Sequence, residues 1–189
     1  MRMTWEYLEE QVEGCAVCPL FKSRTHTAFG EGNRQADILF IGEGPGREED
    51  LQGRPFVGPA GQLLDKMLAA IGLKREEVYI ANIVKCRPPQ NRTPVEEEAQ
   101  ACLPYLRAQT ALIKPKIIVC LGATAARYVY DPQIRITRER GIWKEKKGIS
   151  ILPTYHPAAL LRDPQKKHEA WADFQSLRDK YAQLLAAVQ

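Results

Sequence analysis

The sequence predicts an α/β fold in which helices cover both faces of a mainly parallel, four-stranded sheet. Four short runs of apolar, β-branched residues are typical of buried strands. Segments with the apolar period of amphipathic helices lie between them, and this alternation favours a parallel sheet with helices on both sides. Because 189 residues are enough for one domain with a substantial core, we expect residues 1–189 to form a single domain.

Each predicted strand is short, as expected for a strand buried on both faces. The four strands are ADILFIG (36–42), EVYIANIVK (77–85), KIIVCLG (116–122) and GISILPTY (148–155). In open α/β sheets, ligands bind beyond the carboxyl ends of the strands. We therefore expect the functional site where the segments after these strands meet, at residues 42–56, 82–92, 122–123 and 155–162.

Four helices are predicted between and after the strands. In GQLLDKMLAAIG (61–72) the apolar residues share one face, and Gly72 marks the end of the helix. The stretch from Thr93 to Glu96 matches a capping box with proline at the first helical position, which predicts a helix to about Ile113. A short helix is expected over residues 123–130 and a long one over residues 167–188.

The loop GEGPGREEDLQGRPFVGPAG (42–61) is rich in glycine and proline, as loops that shape a site often are. It lacks the G-x-G-x-x-G spacing of a dinucleotide site and the Gly-Lys-Ser/Thr of a phosphate loop. Its acidic run, Glu48 to Asp50, would also repel a polyanion lying against it. The loop is therefore not expected to bind phosphate.

Positive charge is concentrated in residues 133–167, where nine basic residues outnumber three acidic ones, a balance of +6. The whole chain carries +4, so the remainder carries −2. Such a concentration favours a polyanionic partner such as nucleic acid, and a solvated lysine-rich surface explains it about equally well.

The five cysteines are expected to be reduced or metal-bound. The longest apolar run, residues 117–126, is too short to cross a bilayer, and the acidic N-terminal segment does not match a signal peptide. We therefore expect a cytoplasmic protein without membrane association, where disulfides are rare.

Four of these cysteines form a candidate metal site. Cys15 and Cys18 form a C-x2-C pair, Cys86 follows the second strand, and Cys102 lies in a predicted helix. Four thiolates bind either zinc or an iron–sulfur cluster, and this spacing does not choose between them. Scattered buried cysteines are the alternative, and Cys120, inside an apolar strand, is expected to pack in the core.

Four motifs resemble those of the family 4 uracil-DNA glycosylases: GEGPGREED (42–50), GRPFVGPAG (53–61), ANIVKCRPPQNRTP (81–94) and YHPAALLRDP (155–164). The resemblance covers nearly the whole chain. It implies a three-layer α/β/α sandwich that removes uracil from single- or double-stranded DNA by hydrolysing the N-glycosidic bond and leaves an abasic site. It also implies a [4Fe-4S] cluster with Cys15, Cys18, Cys86 and Cys102 as its ligands.

Base excision assigns roles to residues of these motifs, because a flipped base must be read on its edge and stacked. Phe56 is the candidate stacking platform, with a core anchor as the alternative. The Asn82 amide can donate to uracil O4 and accept from N3–H, with a turn former as the alternative. In the family the matching residues stack on and read uracil. The glycines of this loop leave room for the base, and backbone N–H groups near Gly44 are expected to hold its carbonyl.

Bond cleavage leaves positive charge on the sugar and negative charge on the base. His156 is the candidate donor to uracil O2, as the matching His is in the family, although a lone His is more often structural. Glu49 is the first choice for the carboxylate that positions or activates water, and Glu43 is the second.

Further residues are candidates for contact with DNA. The candidate phosphate contacts are Lys85, Arg87, Arg92 and Arg162. Leu160 is the candidate wedge that fills the space left by the flipped base, with packing of the loop onto the sheet as the alternative. We expect a monomer, and nothing in the sequence indicates whether it contacts a replication clamp.

A second class of function is a non-catalytic, four-cysteine metal module that binds nucleic acid. It explains the cysteines and the basic segment. It leaves GEGPGREED and Asn82 without a role.

Overall fold

The computed structural model describes residues 3–187, in which one six-stranded sheet carries helices on both faces. The strands are β1 (Glu31–Gly32), β2 (Ile38–Gly42), β3 (Tyr79–Asn82), β4 (Ile117–Leu121), β5 (Lys144–Lys146) and β6 (Ile149–Thr154). Their order across the sheet is β1-β3-β2-β4-β6-β5.

The four predicted strands form the parallel centre of the sheet. The pairs β2–β3, β2–β4 and β4–β6 are all parallel, with Ile41 opposite both Ala81 and Cys120. The predicted number of strands is wrong, because β1 and β5 pair antiparallel to β3 and β6 at the two edges. These edge strands have two and three residues and little apolar character, so no local pattern indicates them.

The helices lie between the strands as the alternation predicts. They are α1 (Trp5–Glu13), α2 (Arg47–Gln52), α3 (Pro59–Ala70), α4 (Glu96–Ile113), α5 (Ala123–Val129), α6 (Ile136–Glu139), α7 (Pro157–Arg162) and α8 (Lys167–Ala186). Short 3-10 turns cover Pro19–Lys22, Arg75–Glu77, Pro89–Asn91 and Pro164–Lys166. The last residue of the predicted C-terminal helix, Val188, lies outside the described residues. No helix within residues 3–187 is long and apolar enough to span a bilayer.

The start of α4 differs from the prediction. Its N-cap is Val95 rather than Thr93, and the Val95 N–H donates to the Glu98 carboxylate over 3.0 Å. Glu98 is buried and is also held by both terminal nitrogens of Arg92. The capping carboxylate is therefore Glu98, and the helix begins after Pro94 rather than at it.

Alternate residues of each central strand point to opposite faces and build two apolar clusters. In β2, Leu39 and Ile41 belong to a cluster that includes residues of α4 and α5, and Ile38 and Phe40 belong to one with residues of α3 and α8. Cys120 of β4 is fully buried in the first cluster, as predicted. Because helices cover both faces of the sheet, a ligand can reach the central strands at their ends.

Candidate active site

A cavity of about 860 Å³ lies at the carboxyl ends of the four parallel strands. It is lined by residues at or after the ends of β2, β3, β4 and β6, where the sequence places the functional site. We call it the edge cavity. The predicted site residues that line it are Glu43, Gly44, Glu49, Phe56, Asn82, Arg92, His156 and Arg162.

Asn82 ends β3 and is 1% exposed, so water scarcely reaches its side chain. Its Oδ1 is buried and has no hydrogen-bond partner among residues 3–187. An unpartnered buried amide oxygen costs about 1–3 kcal/mol, which a folded protein seldom tolerates without reason. A ligand that enters the edge cavity and donates a hydrogen bond would satisfy it.

His156 stands just past β6 and caps α7, where its Nδ1 accepts a hydrogen bond from the Ala158 N–H over 3.0 Å. Burial of the imidazole, with the nearby Arg162 cation, lowers the pKa of His156 to about 4. The ring is therefore neutral at physiological pH. Because Nδ1 is an acceptor, the proton is on Nε2, and His156 can donate it in the edge cavity.

Phe56 has a backbone φ of +51°, a strained conformation for a bulky residue. Its ring stacks on the His156 imidazole with a centroid separation of 5.4 Å and an angle of 27° between the planes. The Phe56 carbonyl accepts a hydrogen bond from Arg75 over 2.9 Å. Such strain persists where surrounding contacts hold it, and it places the aromatic ring beside the candidate catalytic histidine.

Glu49 holds the other side of this strained turn. Its Oε1 accepts hydrogen bonds from the N–H groups of Val57 (2.9 Å) and Gly58 (2.7 Å), and its Oε2 accepts one from Gly46 (3.1 Å). The side chain is buried and caps α2. These three contacts connect Gly46 with Val57 and Gly58, so the Glu49 side chain holds two parts of the glycine-rich loop together.

Glu43 is only half-buried and makes one side-chain hydrogen bond, in which its Oε2 accepts from Thr124 Oγ1 over 2.5 Å. Its Oε1 has no partner within the described chain. A carboxylate with a free oxygen in the cavity is better suited to bind water than one whose two oxygens already accept from backbone N–H groups. The geometry therefore favours Glu43 over Glu49, the reverse of the order that we expected.

The glycines at the end of β2 allow close packing. A Cβ on Gly42 would lie 2.5 Å from both Asn82 Oδ1 and Phe56 Cζ. A Cβ on Gly44 would lie 2.7 Å from Val84 Cγ2. Gly42 thus makes room for the two side chains that were expected to bind a base, and Gly44 lets the next turn of the loop approach the segment after β3.

Comparison with known proteins identifies the family. The model of the Uracil DNA glycosylase superfamily matches residues 29–175. The chain belongs to this superfamily. It is 50% identical over 162 residues to the type-4 uracil-DNA glycosylase of Thermotoga maritima, covering 84% of this chain and 83% of that protein. It is 46% identical over 183 residues to the type-4 uracil-DNA glycosylase of Sulfurisphaera tokodaii, covering 92% of this chain and 83% of that protein.

The resemblance to the type-4 glycosylases is thereby confirmed. A solution NMR structure of a Methanosarcina acetivorans protein has a TM-score of 0.50 to this chain at 17% identity, over 81% of this chain and 98% of that one. At this level of identity the likeness concerns the fold alone.

Lys85 does not face DNA in this member of the superfamily. The side chain is 1% exposed, and its Nζ donates to the Asn82 carbonyl (3.1 Å) and to Gln109 Oε1 (2.6 Å). Burial lowers the pKa of Lys85 to about 8. The prediction of a phosphate contact is therefore wrong, because the side chain turns inward and holds the end of β3 that carries Asn82.

Leu160 is also unavailable to DNA. It is 1% exposed and packs with Tyr155 and Ala170, between α7 and α8. Its neighbour Leu161 is 45% exposed and lines the edge cavity. Leu160 therefore cannot be the wedge that we predicted, and Leu161 is the exposed apolar side chain beside it on α7.

The basic candidates are divided between the cavity and the rest of the surface. Arg162 is exposed and lines the edge cavity, whereas Arg92 lines it but is paired with Glu98 at 2.7 Å. Arg87 is not among the lining residues, and its Nε donates to Asn91 Oδ1 over 2.7 Å. Of the nine basic residues in the positive segment 133–167, Arg162 and Lys166 line the cavity.

A second, small cavity is lined by Cys15, Cys18, Cys86 and Cys102, and we call it the cysteine cavity. Arg24 donates to Cys86 Sγ over 3.2 Å, and the Lys85 N–H donates to Cys102 Sγ over 3.3 Å. Burial raises the pKa of the Cys86 thiol and raises that of Cys102 to about 11. Four sulfurs around one cavity, with donors directed at two of them, fit a group that binds thiolates.

Among the described residues, no three His, Cys, Asp or Glu side chains are grouped as ligands of a single metal ion. In a four-iron cluster each thiolate binds a different iron, so its cysteines stand farther apart than those around one zinc ion.

The edge cavity is also lined by residues outside the four expected segments, and Thr124 and Arg127 are two of them. Thr124 follows the segment 122–123 that we placed at the edge, and extending that segment by one residue would have included it. Arg127 lies three residues farther along α5 and lines the same cavity. Neither residue has a motif of its own that could have pointed to it.

Proposed function

We propose that this chain is a DNA repair glycosylase that hydrolyses the N-glycosidic bond of deoxyuridine, releases uracil and leaves an abasic site. The observation that carries the proposal is the unpartnered amide oxygen of Asn82, buried in the same cavity as the neutral donor His156. The names of the Thermotoga and Sulfurisphaera relatives support the same activity.

Asn82 recognises the base in this proposal. Its Oδ1 accepts from uracil N3–H, and its Nδ2 donates to uracil O4. Cytosine presents an unprotonated N3 and an amino group at these positions, so it would leave the amide with mismatched partners. The Phe56 ring supplies the stacking surface, and the contacts of Arg75 and Glu49 hold it in place.

His156 stabilises the departing base. As the glycosidic bond breaks, negative charge develops on uracil, and the Nε2–H of the neutral imidazole donates to O2. A neutral donor is already in the required protonation state at physiological pH, because the pKa of about 4 keeps the ring from charging.

Glu43 acts on both the attacking water and the sugar. The free Oε1 accepts a proton from the attacking water, and the negative charge of the carboxylate favours the positive charge that develops on the sugar. Glu49 acts indirectly, by holding Val57 and Gly58 of the loop that carries Phe56.

DNA lies over the rim of the edge cavity. Arg162 and Arg92 contact phosphates, with Arg87 farther out, and they set the position of the strand rather than its sequence preference. The exposed side chain of Leu161 enters the stack when the base leaves it. The chain acts as a monomer in the cytoplasm.

The four cysteines of the cysteine cavity would hold a [4Fe-4S] cluster. When bound, such a cluster would crosslink the segment after α1 to the segment between β3 and α4, through Cys86, and to α4 itself, through Cys102. The segment between β3 and α4 directly follows Asn82, so the cluster would stiffen the backbone beside the base-reading residue.

The test is incubation with a labelled oligonucleotide that contains one uracil, followed by alkaline cleavage. We expect a strand break at the uracil position and none in a matched oligonucleotide with thymine there. The His156→Ala variant, with unchanged thermal unfolding, is the control for a contaminating activity. Binding of the oligonucleotide without a break would instead favour the non-catalytic four-cysteine module.

A further inference from the structure

Thr124 has an unusual place beside the candidate carboxylate. It is the second residue of α5, directly after β4, and its side chain is 8% exposed. Its Oγ1 donates to Glu43 Oε2 over 2.5 Å, which links residues 81 positions apart. Glu43 follows β2, the parallel neighbour of β4, so the hydrogen bond spans two adjacent strand ends.

This hydrogen bond restricts the orientation of the Glu43 carboxylate and leaves one of its two oxygens available to accept. A half-exposed glutamate has several rotamers, and ordering it costs entropy unless a partner holds it. A hydroxyl that donates to an ionised carboxylate makes a short, strong hydrogen bond. It engages only Oε2, and Oε1 has no partner within residues 3–187.

We infer that Thr124 is a positioning residue for Glu43, which holds the carboxylate so that Oε1 binds the attacking water. The inference rests on the proposed function, since it assigns Glu43 to the water. In this role Thr124 acts through Glu43 rather than directly on the substrate. Its hydroxyl fixes the direction from which the carboxylate takes a proton.

Packing of α5 onto the sheet is the competing explanation of a buried threonine. The two explanations depend on different atoms of the side chain. Thr124→Val keeps the shape and removes the hydroxyl, whereas Thr124→Ser keeps the hydroxyl and removes the methyl group. A packing role predicts that Ser is the worse substitution, and a positioning role predicts that Val is.

The experiment compares single-turnover rates of uracil excision at saturating enzyme. We expect Thr124→Val to lower the rate about ten- to hundredfold, the range for loss of one hydrogen bond to a charged group. DNA affinity should stay unchanged, and Thr124→Ser should remain within about threefold of the unmodified enzyme. If Thr124→Val unfolds, the pair Thr124→Ala and Thr124→Ser makes the same comparison, because those two differ only in the hydroxyl.

A double-mutant cycle supplies the decisive control. In a Glu43→Ala background, adding Thr124→Val should change the rate by no more than about twofold, since the carboxylate that Thr124 positions is gone. Equal losses in both backgrounds, or a Ser variant as slow as the Val variant, would overturn the inference. If the unmodified enzyme excises no uracil, the proposed function fails; if it does and Thr124→Val matches it, only the role of Thr124 fails.

Discussion

The edge cavity and the cysteine cavity differ in what their polar atoms contact. In the edge cavity, Asn82 Oδ1 and Glu43 Oε1 have no partners within the described chain, and the His156 ring keeps its Nε2–H to donate. In the cysteine cavity, donors already contact the sulfurs of Cys86 and Cys102. The first arrangement suits a substrate that binds and is released, and the second suits a permanently bound cofactor.

A short piece of chain, from Asn82 to Cys86, runs from the edge cavity to the cysteine cavity. Lys85 connects them, because its backbone N–H donates to Cys102 Sγ while its Nζ donates to the Asn82 carbonyl. A buried, hydrogen-bonded segment of this kind can hold an open site in position. Asn82 at the edge cavity is thus tied through Lys85 to Cys102 at the cysteine cavity.

The largest effect is expected at the edge cavity. Asn82→Asp replaces the amide donor with an acceptor that cannot pair with uracil O4. We expect uracil excision to fall by about two orders of magnitude or more, because a mismatched buried group loses more than one hydrogen bond. Single-turnover kinetics measures it, and slight excision of cytosine would be consistent with a carboxylate accepting from its amino group. An unchanged rate on uracil would mean that Asn82 only terminates the strand.

The cysteine cavity should respond in colour and stability. We expect the protein purified without oxygen to be brown, because charge transfer from thiolate to iron absorbs visible light. Cys86→Ser should bleach it and lower the thermal unfolding temperature, whereas Cys120→Ser, in the core, should keep the colour. Absorption spectra and iron and zinc analysis check this. A colourless, active protein with one zinc ion would contradict the cluster.

A smaller effect separates two adjacent leucines. Leu161→Ala should slow excision from duplex DNA by about tenfold and leave single strands almost unaffected, because only a duplex base must leave a stack. Leu160→Ala should lower the free energy of unfolding by about 2–5 kcal/mol with no substrate preference, since it empties a core position. His156→Ala should slow both substrates alike. Equal losses for Leu161→Ala on both substrates would remove the wedge.

The smallest effect concerns the charge of His156. Its pKa of about 4 in the folded protein is below the ordinary value of 6.5. Between pH 6.5 and about pH 4, the unfolded chain binds a proton on this histidine that the folded protein does not bind. The free energy of unfolding therefore decreases as the pH falls through this range. The NMR titration of the His156 ring should show a midpoint far below 6.5, and the excision rate should show no inflection near 6.5. A midpoint at 6.5 would contradict a neutral donor.

Much of the architecture followed from local patterns in the sequence. Apolar, β-branched runs predicted the four parallel strands, and apolar periodicity predicted the helix α3. The carboxyl ends of these strands then predicted where the cavity lies. These inferences worked because burial of a strand or of a helix face imposes a period on neighbouring residues, and that period can be read without knowing the partners.

Only the tertiary structure decided what individual side chains do. Leu160 and Leu161 are neighbours of one type, and the packing of α7 against α3 and against Ala170 of α8 buries one and leaves the other exposed. Glu43 and Glu49 stand in one motif, but Glu43 contacts the Thr124 hydroxyl whereas both oxygens of Glu49 accept from backbone N–H groups. The partner of Glu43 lies 81 positions away in the chain, and Leu160 packs in a cluster with Leu63 and Met67 of α3. A local pattern carries no information about which distant atoms will meet.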